Sequence, residues 1–237
     1  MSWTPYLTER DRKALELLGF GARQGYGRRP ALLIIDTNYE FCGHEDRPLL
    51  EVIRSWPTAC GEDAWRAVRV MRGLIDACKA KGLPVFYSTN TRRPDGFDSG
   101  SWNWKSANRS GPRRRMDRAD DIVDAIAPRP EDVIIRKTKP SVFFGTAFLS
   151  FLVDLGVDSL IVCGGTTSGC VRASVIDAFS QNLRCAVVAE ACFDRFESSH
   201  AVSLLDMQAK YADVVSAAEA IAFVGSLQAG MFRLPGM

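Results

Sequence analysis

The 237-residue sequence predicts an α/β fold: a three-layer α/β/α sandwich around a six-stranded, doubly wound parallel sheet. Two observations carry that prediction. Six short apolar runs lack the polar alternation of a half-exposed strand, so both of their faces must be covered. Amphipathic stretches follow most of these runs, and strand–helix alternation builds right-handed parallel crossovers.

The first run, Ala31–Asp36 (ALLIID), follows an N-terminal segment of residues 1–30. That segment holds one amphipathic helix over Thr8–Leu18, stopped at Gly19, and a Gly/Arg-rich arm. So short a helix does not hold itself together in water; it is expected to pack on its own domain or on a neighbouring subunit. A helix over Glu62–Lys81 leads into the second strand, Pro84–Thr89 (PVFYST). The third strand is Val133–Ile135, followed by a helix over Thr146–Leu155. The fourth, Ser159–Cys163 (SLIVC), leads to a helix over Cys170–Gln181. The fifth, Cys185–Ala189 (CAVVA), precedes a helix over Ser198–Lys210, and the sixth, Asp213–Val215, precedes one over Ala217–Leu227. Gly82, Gly156 and Asn182 follow three of these helices and tolerate the left-handed backbone that ends a helix. Residues 31–237 read as one globular domain, since every strand finds its neighbour in a single sheet.

One connection, Asn90–Asp117, is far longer than the usual few residues. Its arginines and aromatics fit three roles: a solvated loop, a nucleic-acid groove, or a lid or subunit contact with Trp102 and Trp104 facing a pocket or partner. Bulk charge does not favour nucleic acid or an anionic membrane, because 30 Lys+Arg against 28 Asp+Glu leave a net charge of +2. No apolar run approaches the ~20 residues of a membrane-spanning helix, and charges interrupt the N-terminus where a signal peptide needs an apolar stretch. Seven cysteines, an odd count, then read as reduced thiols of a cytoplasmic protein.

Ligands of an open α/β sheet collect at the carboxyl ends of its strands. Three reactive side chains stand there: Asp36 at the end of the first strand, Lys137 after the third, and Cys170 after the fourth, beyond the turn GGTTSG. A cysteine opening a helix meets unpaired N–H groups and the helix dipole, which lower a thiol pKa, and a nearby ammonium acts in the same direction. Asp36 supplies a base for the thiol proton. The Gly164–Gly169 turn lets the backbone approach a substrate and aim N–H groups at an oxyanion. Each residue also has a plainer reading: a packed thiol, a turn carboxylate, a surface charge, or a phosphate-cradling glycine turn. The last lacks both GxGxxG and GK[ST].

Three separated segments, ALLIIDTNYEFC, VIIRKTKPSVFFGTAF and LIVCGGTTSGCVRASVIDAFSQNLRCAVVAEACFDR, together with a tail beginning at His200 and containing LLDMQAKYADV, resemble the isochorismatase-like cysteine hydrolases over nearly all of residues 30–220. That group includes nicotinamidases, ureidoacrylate hydrolases, N-carbamoylsarcosine amidohydrolase and maleamate amidohydrolase. The resemblance implies a catalytic triad of Asp36, Lys137 and Cys170; Lys137, not Lys139, stands four residues before the Ser of SVFFGT. It also implies a cis peptide between Gly165 and Thr166 that aims the Thr166 N–H at the oxyanion, with the Cys170 N–H beside it. Nicotinamidases carry a D-x-H-x-H metal motif where this chain has SGSWNWKS, and its only histidines are His44 and His200. No metal and no cofactor are therefore expected. Isochorismatases proper lack the cysteine, so Cys170 points to C–N bond hydrolysis.

The TTSGCVRA motif, Asp194–Arg195 and the tail look most like the N-carbamoylsarcosine and maleamate amidohydrolases, whose substrates carry a carboxylate. Arg195 stands where the resemblance puts a carboxylate-binding arginine, with Thr166 and Thr167 as further substrate donors. The plainer reading of Arg195 is an ion pair with Asp194 or Glu197. His200 reads as structural; His44 either lines the pocket or lies on the surface. Cys42 stands near the site and reads as packing, as do the remaining cysteines. The expected partner is a small molecule, with neither nucleic acid nor membrane. The resemblance implies a homo-oligomer, a dimer or tetramer, with the N-terminal arm and the 90–117 connection as contacts. A competing class is a thiol redox sensor or binding protein that keeps the fold without turnover.

Overall fold

The structure, a computed structural model, describes residues 2–105 and 116–234. Six parallel strands form one sheet in the order β3-β2-β1-β4-β5-β6. They are β1 Pro30–Ile35, β2 Val85–Asn90, β3 Val133–Lys137, β4 Ser159–Gly165, β5 Arg184–Phe193 and β6 Asp213–Val215. This is the doubly wound order, with the reversal between β1 and β4. Both central strands are buried along their whole length, which the Val/Ile/Leu runs require.

Six helices matter for the argument: α1 Glu9–Leu18, α2 Glu62–Ala80, α3 Phe148–Leu155, α4 Arg172–Ser180, α5 Glu197–Lys210 and α6 Ala217–Ser226. Gly82, Gly156 and Asn182 take φ values of 67°, 63° and 61°, the left-handed backbone expected after a helix. The apolar face of α2 is its seven buried residues, from Ala64 to Cys78.

Several boundaries shift by a residue or two from the sequence expectation: β3 runs two residues further, so Lys137 ends the strand and does not follow it, and α3 begins at Phe148. Three further differences lie at the carboxyl edge. β4 runs two residues further, so Gly164 and Gly165 belong to the sheet and not to the turn. A Cβ at Gly164 would lie 2.0 Å from the Ile35 carbonyl oxygen, and one at Gly165 would lie 2.2 Å from the Phe193 ring. Only glycine lets the strand continue so close to β1 and β5. β5 extends to Phe193 because its register against β4 shifts between Val162 and Gly164, an irregularity invisible to an apolar-run count. Cys170 does not open an α-helix: it sits in a wider π-type turn, Thr167–Val171, and α4 begins at Arg172.

At the N-terminus, α1 opens with a Thr8–Asp11 capping box, ends at Gly19 and buries none of its residues. The arm after it docks on the sheet edge, where Gln24 and Gly25 N–H groups donate to the buried Asp213 carboxylate. Of the Asn90–Asp117 connection, residues 106–115 lie outside the described residues. Its described part contains the turn Trp102–Lys105, on which Trp102 is 40% and Trp104 81% exposed. Among the described residues, no helix is long and apolar enough to cross a membrane.

Candidate active site

The carboxyl edge is built around Asp36. It follows β1 directly, takes the left-handed φ of 46° and is completely buried. Its N–H donates to the Ser88 carbonyl at 3.1 Å, and the Ser88 hydroxyl donates to Oδ1 at 2.7 Å. Oδ2 accepts from Lys137 Nζ at 2.6 Å. Lys137 ends β3, separated from β1 by β2, roughly 10 Å at ordinary strand spacing; its four-carbon stem crosses that gap. Nζ also donates to the Lys139 carbonyl at 3.2 Å. So Lys139 contributes its main chain here, while its own ammonium turns away to the Asp98 carbonyl.

Cys170 faces this pair from beyond β4. Burial pushes its thiol well above the ordinary range, the Asp36 carboxylate pushes the same way, and the Lys137 ammonium only partly opposes them. The dipole-lowered thiol expected from a helix start is therefore not what the fold provides. Gly169 at φ −105°, ψ −105° interrupts the turn, so Cys170 is not presented on the first turn of a regular helix. Burial alone would push Lys137 down; Asp36 and Cys170 beside it reverse that and hold it above its ordinary value. The sulfur thus lies beside a buried ion pair. A sulfur held this way would need a base to act as a nucleophile, and Asp36 is the carboxylate in place.

The Gly165–Thr166 peptide bond is cis. Thr166 is buried and caps the turn that carries Cys170. The Thr167 hydroxyl is engaged, lying 3.1 Å from the Phe193 carbonyl and 2.8 Å from His200 Nδ1. A hydroxyl has one proton, and the carbonyl only accepts, so His200 Nδ1–H is the donor to Thr167 Oγ1. Thr167 thus anchors the turn and leaves no hydroxyl proton for a substrate. His200 is held below the usual imidazole range by burial, ahead of an opposing effect from Asp194.

Arg195 follows β5 by two residues and is half-buried. Its guanidinium donates to the Thr58 carbonyl and lies over the Phe41 ring, 5.5 Å from the centroid. Among the described residues it has no carboxylate within 4 Å, so the ion pair with Asp194 or Glu197 is not formed. His44 is exposed and stacks on Tyr39 at 4.4 Å, with Trp56 tilted against it. Cys42 and Cys60 are buried close to one another. Sequence reasoning passed over Ser88, Thr58 and Phe41, and gave Asp194 only as part of a motif and as an ion-pair partner for Arg195. A serine in an apolar strand end and an Asp next to a suspected arginine carry only a faint local signal. Among the described residues, no three His, Cys, Asp or Glu side chains group as metal ligands.

Comparison with known proteins gives four results. Residues 30–219 match the model of the isochorismatase domain. A maleamate amidohydrolase of Pseudomonas putida is 32% identical over 206 residues, 85% of this chain and 90% of the relative. An N-carbamoylsarcosine amidase of an Arthrobacter species is 33% identical over 220 residues, 88% of this chain and 76% of the relative. Among solved structures, the N-carbamoylsarcosine amidase from Thermoplasma acidophilum superimposes with a TM-score of 0.62 at 25% identity, covering 80% of this chain and 96% of that one.

Proposed function

The chain belongs to the isochorismatase domain family, and from that premise we propose that it is an amidohydrolase working through a cysteine thioester. Its substrate is a small amide or ureido compound bearing a carboxylate, of the N-carbamoylsarcosine type. The observation that carries this is the buried Lys137–Asp36 contact of 2.6 Å facing Cys170. A non-catalytic thiol sensor has no need of all three.

Asp36 takes the Cys170 proton as the sulfur bonds to the carbonyl carbon. The carbonyl oxygen becomes an oxyanion, to which the Thr166 and Cys170 N–H groups are the candidate donors. The C–N bond then breaks, its electron pair going to nitrogen, and Asp36 returns the proton so that ammonia leaves. Water attacks the thioester, giving its proton to Asp36; the C–S bond breaks and the sulfur is reprotonated. Lys137 stays protonated throughout, offsetting the carboxylate charge and fixing its orientation. With an N-carbamoyl amino acid the acyl product is a carbamate, which decomposes to carbon dioxide and the free amine.

Arg195 is the carboxylate clamp in this reading: a guanidinium at the carboxyl edge, without an acidic partner among the described residues, offers two parallel N–H donors. A diacid monoamide such as maleamate uses the same two ends, and the 32% identity to a maleamate amidohydrolase supports it as the second reading. Ammonia release from N-carbamoylsarcosine, N-carbamoylglycine, maleamate, ureidoacrylate and nicotinamide separates the two. Retained turnover in Cys170→Ala, or nicotinamide as the best substrate, overturns the mechanism or the clamp respectively.

A further inference from the structure

We infer that Asp194 is a positioning residue that sets the distance between the nucleophile turn and Arg195, and with it the preference for carboxylate-bearing amides. The inference rests on the proposed function and goes beyond it by naming what holds the two ends of the substrate site together. Asp194 is 6% exposed, immediately beyond β5. Such a carboxylate normally has a cationic partner; among the described residues Asp194 has none within 4 Å. Main-chain N–H groups meet its charge instead. Oδ2 accepts from Ser168 N–H at 2.8 Å, and Oδ1 accepts from Arg195 N–H at 2.8 Å. Ser168 lies two residues before Cys170, and Arg195 carries the guanidinium. One rigid planar group therefore ties the turn that presents the sulfur to the residue that presents the clamp.

The neighbouring contacts give this tie its direction. Thr167, the residue before Ser168, is fastened to Phe193 and His200. The turn is thus held to β5 on one side and to α5 on the other. Arg195 is held at its tip by the Thr58 carbonyl and the Phe41 ring. The Thr167–Phe193 bond and the Gly165–Phe193 pairing bring the turn as far as the last residue of β5; the Asp194 carboxylate carries the tie on from Ser168 to the Arg195 main chain. Its effect belongs in turnover as well as binding. A substrate seated on Arg195 with its carbonyl about 1 Å from the productive place loses rate on the order of a hundredfold.

The test measures kcat and KM for one carboxylate-bearing amide and one neutral amide of the same length. The enzymes are wild type, Asp194→Asn, Arg195→Ala and the double variant, each normalised to the fraction of Cys170 that forms a covalent adduct. Asparagine keeps the size but presents an NH2 to one of the two N–H donors, so it satisfies one bond and breaks the other. The expected result for Asp194→Asn is a ten- to hundredfold fall in kcat/KM for the acidic amide, seen largely in kcat, with less than threefold change for the neutral one. The double variant is expected to discriminate no worse than Arg195→Ala alone, because both act along one path. An equal fall for both substrates assigns Asp194 a merely structural role and overturns the inference, as does an unchanged preference. If Arg195→Ala keeps the preference for the acidic amide, the clamp reading itself fails. Loss of preference in Arg195→Ala with retention in Asp194→Asn rejects only the inference. Should Asp194→Asn not fold, Asp194→Ser, which keeps one acceptor oxygen, is carried through the same comparison with the same outcomes.

Discussion

Replacing Lys137 by methionine tests whether the buried ion pair is the electrostatic foundation of the site. The side chains of Lys137 and Asp36 are 1% and 0% exposed, with Nζ and Oδ2 2.6 Å apart. At an effective dielectric of about 20, two unit charges at that separation attract by about 6 kcal/mol. Most of this offsets the cost of taking both charges out of water. Removing one partner leaves the other charged and buried, at a net cost of about 3–5 kcal/mol. For a chain of this length that lowers Tm by roughly 6–20 °C. Lys137→Met should therefore be inactive and markedly less stable. Asp36→Asn/Lys137→Met removes both charges while the Asn side chain keeps a partner for the Ser88 hydroxyl. It should return to within about 1–2 kcal/mol of wild type and remain inactive. Urea unfolding followed by circular dichroism gives the four stabilities of the cycle, and ammonia release gives the activities. A single variant as stable as wild type, or a double variant no more stable than the single, would refute the charge-compensation argument.

Other consequences are equally open to measurement. Burial pushes Cys60, Cys78, Cys185 and Cys192 up to about 12, and Cys42, Cys163 and Cys170 in the same direction. Above about pH 9 the unfolded chain releases thiol protons that the folded chain retains, so stability falls as pH rises, by about 1 kcal/mol per thiol by pH 10. The thiols together amount to several kcal/mol, a sizeable part of the stability of an ordinary domain; urea midpoints that stay level from pH 8 to 10.5 would contradict this. Ser88→Ala removes the donor to Asp36 Oδ1 and should lower kcat about ten- to a hundredfold with KM little changed. Steady-state kinetics showing full kcat would rule that role out. Gly165→Ala would drive a methyl group into the Phe193 ring; a loss of about 1–3 kcal/mol or more, read by thermal melting, is expected.

Much of this molecule is legible one segment at a time. The apolar runs, the helix stops at Gly82, Gly156 and Asn182, and the doubly wound class follow from local pattern, because burial of both sheet faces imposes a composition that needs no partner to be seen. Asp36, Lys137 and Cys170 stand out for a similar reason: an ionisable or nucleophilic side chain at the end of an apolar strand has few structural excuses. Other features depend on groups distant in the chain. The true ends of β4 and β5 rest on the fit of two glycines against Ile35 and Phe193. The state of the Cys170 sulfur depends on how deeply it is buried, a quantity no spacing rule contains, and burial here outweighs the favourable turn that local reasoning emphasised.

Chain order alone specified the sheet, its helical covers and the three candidate side chains at the strand ends, since hydrophobic period and residue type are properties of single segments. The packed fold specified which of those side chains touch, which hydroxyl is already engaged, and that Asp194, 26 positions after Ser168, ties Ser168 to Arg195. Contacts of that kind arise only when strand ends are brought together, and electrostatics in a buried site is set by distances and desolvation that exist only after the chain has closed around it.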